Sequence, residues 1–374
     1  MIINNISQEL YSSLKREYNY LKINCVDSVL FLTYRCTSKC KTCNIWKRNS
    51  SPTEELDWHG WKKILTKLKK YEIKTIELFG GDALLRKDIL FKIIEFCSKN
   101  NIKTYFPTNS ILLTKEVAKG LVESGLETIY FSLDDIEDCN DKIRGVDGSF
   151  FKVKRGFENV ITARGKQKAP RIVVCVTISK MNYNHFTDIV NFLNKYKIDA
   201  IYPRVLGEFD QEMVNGSIVD GIEPEPFFAS TDDLSHRLTS DQYSFFKKTL
   251  LALSQTKDNG TPFIFLRSFY DTDERIITGG IGAIRRCLLC PTVLTLNPDG
   301  EVLPCMFYKN YSLGNLISSD LEDIWGSDKH KKFIYLQKKK MIKLCSNCTV
   351  RIYYPSFIET ALYFRRKIFE KVTA

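Results

Sequence analysis

Apolar positions along the chain follow two alternating periods. Between residues 28 and 206, six short runs rich in β-branched and aromatic residues read as strands: SVLFLTY (28–34), TIELFG (75–80), KTYFPTN (103–109), TIYFSLD (128–134), RIVVCVTI (171–178) and AIYPRVL (200–206). Segments between them, such as DWHGWKKILTKLKKY and RKDILFKIIEFCSKN, repeat apolar residues at i, i+3 and i+4 and read as amphipathic helices. Six strand–helix alternations predict an α/β fold, a parallel sheet with crossover helices that closes partly into a (β/α)6 barrel. Ligands of such sheets collect at the carboxyl ends of the strands. Cys36, the Gly80–Gly81 pair, Asn109, Asp134 and Thr177 stand at or just past predicted strand ends, so they are expected to converge.

After residue 206 the periodicity weakens. Residues 207–286 read as an acidic, Gly- and Pro-containing linker with a helix near SDQYSFFKKTLLALSQ, followed by TPFIFLRSF. The tail from residue 287 contains CLLCPTVLTLNPDGEVLPCMFY and KLCSNC, with Asp299-Gly300 at the turn of a short hairpin. The expected organisation is an N-terminal extension (1–27), a barrel core (28–206), a linker and helical segment (207–286) and a small cysteine-rich α+β domain (287–374).

Composition narrows the class. No run reaches the ~18 apolar residues of a membrane span, and the opening MIINNISQELYSSLKREYNY lacks the apolar block of a signal peptide, so a cytoplasmic protein without membrane contact is expected. The net charge of +11 is spread along the chain among Asp and Glu. It reads as a solvated basic surface instead of a nucleic-acid footprint, and it suits an anionic substrate. Twelve cysteines without a secretory signal point to metal or redox chemistry, not a disulfide framework.

Eight of the twelve fall in two groups. Cys36, Cys40 and Cys43 give three thiolates directly after the first strand. Structural zinc takes four ligands and a disulfide two, whereas a four-iron cluster on three cysteines leaves one iron open for a substrate or cofactor. The second group, Cys287, Cys290, Cys305, Cys345 and Cys348, contains two CxxC pairs whose spacing also suits a four-thiolate zinc site.

The CxxxCxxC loop and its companions resemble the radical S-adenosylmethionine superfamily. FGGDALLRKD resembles the family's glycine–glycine–acid element, with Asp82 where Glu is more frequent. FPTNS resembles its Thr-Asn-Gly element with Asn109 retained and Ser110 in place of Gly. FSLDDIEDCNDKIRGVDGSF resembles its fourth-strand region, with Asn140 where His is frequent. The resemblance covers about residues 28–206. It implies a [4Fe-4S] cluster on Cys36, Cys40 and Cys43 whose open iron is chelated by S-adenosylmethionine, and reductive cleavage to a 5′-deoxyadenosyl radical that abstracts hydrogen from substrate. It further implies cofactor contacts from Gly80, Gly81, Asp82, Asn109, Ser132, Asp134, Arg144 and Thr177. The residue before the third cysteine is often aromatic and packs on adenine; Thr42 stands there, so the strand around Val176 and Thr177 is the expected substitute.

The tail resembles the auxiliary-cluster domains called SPASM or twitch: Gly300-x4-Cys305 and Cys345-x-x-Cys348 fit their elements, and no cysteine follows Cys348. That resemblance implies one auxiliary [4Fe-4S] cluster. Cys287, Cys305, Cys345 and Cys348 are the favoured ligands, with Cys290 replacing Cys287 or standing beside the cluster. Zinc in both groups, in a non-catalytic protein, is the rival. Of the isolated cysteines, Cys97 and Cys175 read as small buried hydrophobes. Cys139, in the loop past the fourth strand, reads as a loop cysteine or as a thiol that returns hydrogen to a substrate radical. A flavodoxin or ferredoxin is the expected electron donor. A small polar substrate such as a sugar, amino sugar or alcohol is favoured, because only about 27 residues precede the first strand, and a peptide is the alternative.

Overall fold

The computed structural model describes residues 25, 27–48, 50–228, 235–255, 262–270, 272–279, 287–350 and 361. Most of the expected N-terminal extension, part of the linker and most of the segment after Cys348 lie outside the described residues.

Six strands appear where the pattern places them: β1 (Asp27–Thr33), β2 (Thr75–Gly80), β3 (Lys103–Thr108), β4 (Thr128–Ser132), β5 (Arg171–Ile178) and β6 (Ala200–Val205). A two-residue strand, β7 (Phe263–Ile264), continues the parallel set beyond β6. Helices α1 (Trp58–Lys70), α2 (Lys87–Lys99), α3 (Lys115–Glu123), α4 (Glu137–Arg144), α5 (Ser149–Arg164) and α6 (Phe186–Leu193) cross between them. Helix α1 starts where the Asp57 carboxylate accepts the Gly60 N–H at 2.8 Å, and it buries Trp61, Ile64, Leu65 and Leu68 as one stripe. Helix α2 buries Ile89, Leu90, Ile93, Ile94 and Cys97 in the same way. Each such side chain contributes about 1.5–3 kcal/mol of hydrophobic stabilisation.

Past β6 the linker carries helix α7 (Ser240–Gln255), and the tail brings strands β8 (Val293–Leu296), β9 (Glu301–Leu303) and β10 (Gly314–Asn315) and helix α8 (Asp328–Lys338). The Asp299-Gly300 turn is present: Gly300 has φ +87° and its N–H donates to the Asn297 carbonyl at 3.0 Å. The tail hairpin is not a detached sheet. Strand β8 pairs in parallel with β1, from Asp27 opposite Val293 to Leu30 opposite Leu296, giving one ten-stranded sheet in the order β10-β9-β8-β1-β2-β3-β4-β5-β6-β7. β1 lies inside that sheet, and Leu30, Phe31, Leu32 and Thr33 are wholly buried. Along β2 to β6 burial alternates with period two: Ile76, Leu78, Phe106, Ile129 and Phe131 pack under the helices, whereas Glu77, Tyr105, Tyr130, Cys175, Tyr202 and Arg204 stay partly open on the opposite face. That second face is the barrel's inner wall, and it is polar.

Candidate functional site

The loop after β1 carries Cys36, Cys40 and Cys43, and the barrel grips it from three sides. The Gly81 and Asp82 N–H groups donate to the Thr33 and Arg35 carbonyls at 3.0 and 2.9 Å. A Cβ on Gly81 would lie 2.2 Å from the Arg35 carbonyl, and one on Gly80 (φ +147°) 2.2 Å from that of Thr33, so only glycine permits this approach. Farther along, Lys41 N–H donates to the Ile143 carbonyl at the end of α4, and Asn44 N–H to that of Phe227 in the linker, at 2.9 and 2.8 Å. Beneath the loop, the Glu55 carboxylate receives Arg35 at 2.8 Å, Arg86 at 3.1 Å and the Thr33 hydroxyl. Burial alone would raise this carboxyl, but the Arg35 and Thr33 hydrogen bonds hold it below the usual range.

A cavity of about 1050 Å³, counting its open mouth, lies over the carboxyl ends of the strands. The expected site residues Cys36, Cys40, Cys43, Gly80, Gly81, Asn109, Ser132, Asp134, Arg144 and Thr177 all line it. Asp134 is fixed by the Arg144 guanidinium at 3.0 Å and the Thr177 N–H at 2.8 Å. The Asn109 amide donates to the Thr37 and Ser38 hydroxyls at 2.8 and 2.9 Å, tying the third strand end to the cysteine loop. Asn140 is wholly buried, and its side-chain oxygen accepts the Asp134 and Asp135 N–H groups at 3.0 and 3.3 Å, shaping the turn after β4.

Three expected positions stand outside the cavity lining. Asp82 sits one layer behind the cavity: it is 3% exposed and does not line the wall. One of its carboxylate oxygens accepts the Thr37 hydroxyl at 2.6 Å and the other the Leu84 N–H at 3.0 Å, which ties it to the cysteine loop. Burial raises its carboxyl above the ordinary value while these hydrogen bonds oppose it. Cys139 is exposed on α4 and is not among the residues lining the cavity. Val176 points away under the helices, because residues adjacent on a strand face opposite sides.

Sequence reasoning missed several cavity residues. Cys175, read as a buried hydrophobe, faces the cavity together with Thr177, two positions on; strand alternation already carried that signal. Arg204, the charge inside the apolar β6 run, lines the wall as well. Phe79, Phe227 and Phe228 supply flat apolar surface there, and Thr349 and Val350 bring the tail to the same cavity. No local pattern marks Phe227 or Phe228, since the linker folds back onto β1 only in three dimensions.

The thiols fit iron–sulfur clusters better than single ions. A tetrahedral zinc with sulfur ligands at ~2.3 Å requires sulfurs about 3.8 Å apart. Among the described residues, the one set of three Cys, His, Asp or Glu donor atoms within 4.8 Å of one another contains none of the eight clustered cysteines. A cubane makes no such demand, since each thiolate holds a different iron. Burial pushes the Cys36 thiol up to about 11 and the Cys43 thiol up to about 12, so both stay protonated until a metal displaces the proton. Arg144 stands close to Cys40 and Cys36 beside its Asp134 partner.

In the tail, Cys345 on the turn Lys343–Ser346 senses Cys287, Cys348 and Cys305, whereas Cys290 senses Cys305, Cys287 and Cys25. Cys290 is 2% exposed, and its carbonyl meets His330 Nε2 at 3.2 Å. All five tail thiols thus share one neighbourhood, and Cys290 also has Cys25, just before β1, beside it. Between the two thiol groups lies Arg48, sandwiched by the rings of Tyr34 and Phe227, each 4.9 Å from the guanidinium carbon. Its guanidinium donates to the Glu225 and Met306 carbonyls and feels both Cys43 and Cys305.

Comparison with known proteins matches this geometry. Residues 30–193 match the radical SAM superfamily, and residues 287–349 match the iron-sulfur cluster-binding domain SPASM. The chain is 25% identical over 336 residues to the Fe-coproporphyrin III synthase of Methanosarcina barkeri (85% of this chain, 79% of that protein). It is 23% identical over 329 residues to the mycofactocin maturase MftC of Mycolicibacterium smegmatis (85% and 74%). The fold is that of Streptococcus suis SuiB, whose structure with its precursor peptide SuiA superposes with a TM-score of 0.61 at 17% identity, covering 94% of this chain and 76% of SuiB. Among the described residues no helix is long and apolar enough to cross a membrane. The cysteine loop and the tail thiols thus fall in separate matched domains: residues 30–193 form a radical S-adenosylmethionine superfamily domain, and residues 287–349 form a C-terminal SPASM iron–sulfur cluster-binding domain.

Proposed function

We propose that the chain is a maturase that modifies a peptide, taking hydrogen from a residue whose side chain enters the cavity while the main chain stays at its mouth. The similarity to a mycofactocin maturase over 85% of this chain supports the reading, and a protein of the same fold holds its precursor peptide. These relatives favour a peptide over the sugar or alcohol expected from the short segment before β1.

In this reading Cys36, Cys40 and Cys43 hold the four-iron cluster to which S-adenosylmethionine binds, and cleavage of that cofactor supplies a 5′-deoxyadenosyl radical. Backbone at Gly80 and Gly81, the Asn109 amide, Ser132, Thr177 and the Asp134–Arg144 pair bind and orient the cofactor, with Asp82 acting through the loop it holds. Phe79, Phe227 and Phe228 cover the cavity with apolar surface and exclude water from it. Cys287, Cys305, Cys345 and Cys348 hold one auxiliary [4Fe-4S] cluster, which suits a net two-electron oxidation, with flavodoxin or ferredoxin as reductant. A second reading follows from the archaeal relative: a tetrapyrrole whose carboxylates meet Arg204 at the cavity wall.

The test is anaerobic incubation of the reconstituted, reduced protein with S-adenosylmethionine and, in parallel, a pool of short peptides, coproporphyrin and amino sugars. Peptide modification by mass, matched by 5′-deoxyadenosine above the substrate-free rate, is the expected result. Stimulation by the porphyrin or the sugars alone overturns it.

A further inference from the structure

Outside the cavity, the turn after β4 and the start of α6 bring together three side chains that the proposed reaction does not use. Asp135 is fully buried at the end of β4, Cys139 is exposed on the first turns of α4, and His185 caps α6 with 37% of its side chain exposed. His185 Nδ1 lies 2.8 Å from Asp135 Oδ2, while the other carboxylate oxygen accepts the Ile136 N–H at 2.8 Å. A carboxylate oxygen, an imidazole nitrogen and the Cys139 sulfur all lie within 4.8 Å of one another, so the three donors surround a common point.

We propose that Asp135, Cys139 and His185 form a binding site for a divalent transition ion of the zinc type, separate from both clusters. One sulfur, one nitrogen and one oxygen are the mixed donor set a borderline ion takes, and three protein ligands leave a fourth position for water. The surrounding shell is already ordered: Asn140 accepts the Asp135 N–H, and Asn182 donates to the Asp134 carbonyl at 2.6 Å and to that of Thr177 at 2.9 Å. Exposure of Cys139 and His185 gives the ion an entry path. Binding releases the Cys139 thiol proton to solvent, and no electron is transferred. The ion ties the turn that presents Asp134 to the segment that follows Thr177, bracing the cofactor wall from behind.

The experiment uses the enzyme with both iron–sulfur clusters reconstituted, equilibrated with zinc chloride and desalted, with zinc and iron counted together by mass spectrometry. The expected result is one zinc per chain, an estimate resting on the three-donor site, lost in Cys139→Ala and in His185→Gln while the iron count stays unchanged. Zinc must also protect Cys139 from iodoacetamide, read by peptide mapping; this second readout does not depend on any variant folding. Equal zinc in wild type and Cys139→Ala, or alkylation of Cys139 at the same rate with and without zinc, overturns the proposal.

Discussion

The two thiol groups solve the same ligation problem in opposite ways. Cys36, Cys40 and Cys43 lie within eight residues of one loop, and that loop is fixed by the barrel through Gly81, Asp82, Asn109 and α4. The tail thiols are spread over 62 residues, from Cys287 before β8 to Cys348 beyond the turn at Lys343–Ser346, and only folding brings them together. In the proposed assignment three ligands leave a position for a cofactor, whereas four close the site. The difference teaches that a compact motif marks the reactive cluster and a dispersed one the enclosed cluster. Arg48 stands between them and senses a thiol of each.

The sharpest way to break this comparison is to remove the compact set. Replacing Cys36, Cys40 and Cys43 by Ala should abolish 5′-deoxyadenosine formation and leave about four irons on the tail, since each thiolate holds one iron; iron counting and product mass check both. Cys305→Ala should do the converse, losing the tail iron and substrate oxidation while retaining reductive cleavage of S-adenosylmethionine. Cys290→Ala, by contrast, should keep its iron. Retention of tail iron in Cys305→Ala with loss in Cys290→Ala would reverse the ligand assignment.

Smaller effects test how the loop is held and how the sites communicate. Asp82→Asn should raise the Kd for S-adenosylmethionine about tenfold at constant iron, because an amide cannot replace both carboxylate acceptors toward Thr37 and Leu84, a loss of about 1–3 kcal/mol; calorimetric titration measures it. Arg48→Gln should lower the reduction potentials of both clusters by on the order of tens of millivolts, since a nearby positive charge favours the reduced, more negative state. Arg48→Lys should restore them in a potentiometric EPR titration.

The smallest effect concerns Glu77 on the inner wall. Burial raises its carboxyl to about 7, with Arg204 opposing the shift. A folded-state value above the unfolded one contributes stability that is full below the unfolded value and is lost as pH rises toward 7. Glu77→Gln should therefore leave Tm nearly unchanged at pH 5 and raise it by about 2–5 °C at pH 8, read by calorimetry.

Much of this molecule was legible before folding. Strand and helix periods placed all six core strands, because a side chain on a sheet or helix reports its face through local spacing alone. The compact triad, Gly80–Gly81, Asn109, Asp134 and Thr177 were legible for a related reason: each terminates a strand, and strand ends in a parallel sheet share one rim. Cys175 was equally accessible through alternation with Thr177.

What the tertiary structure alone decided involves contacts between residues far apart in sequence. The pairing of β8 with β1 makes the tail an extension of the core sheet, and the return of Phe227 and Phe228 over the cavity turns an expected linker into a wall. Asp82 is tied to the cysteine loop by the Thr37 hydroxyl, 45 positions away in the sequence. The Asp135–Cys139–His185 group likewise exists only because β4 and β5 are neighbours in the sheet. Local periods fix which face a residue presents; which partner meets that face depends on how distant segments close on one another, and no short window of sequence records that.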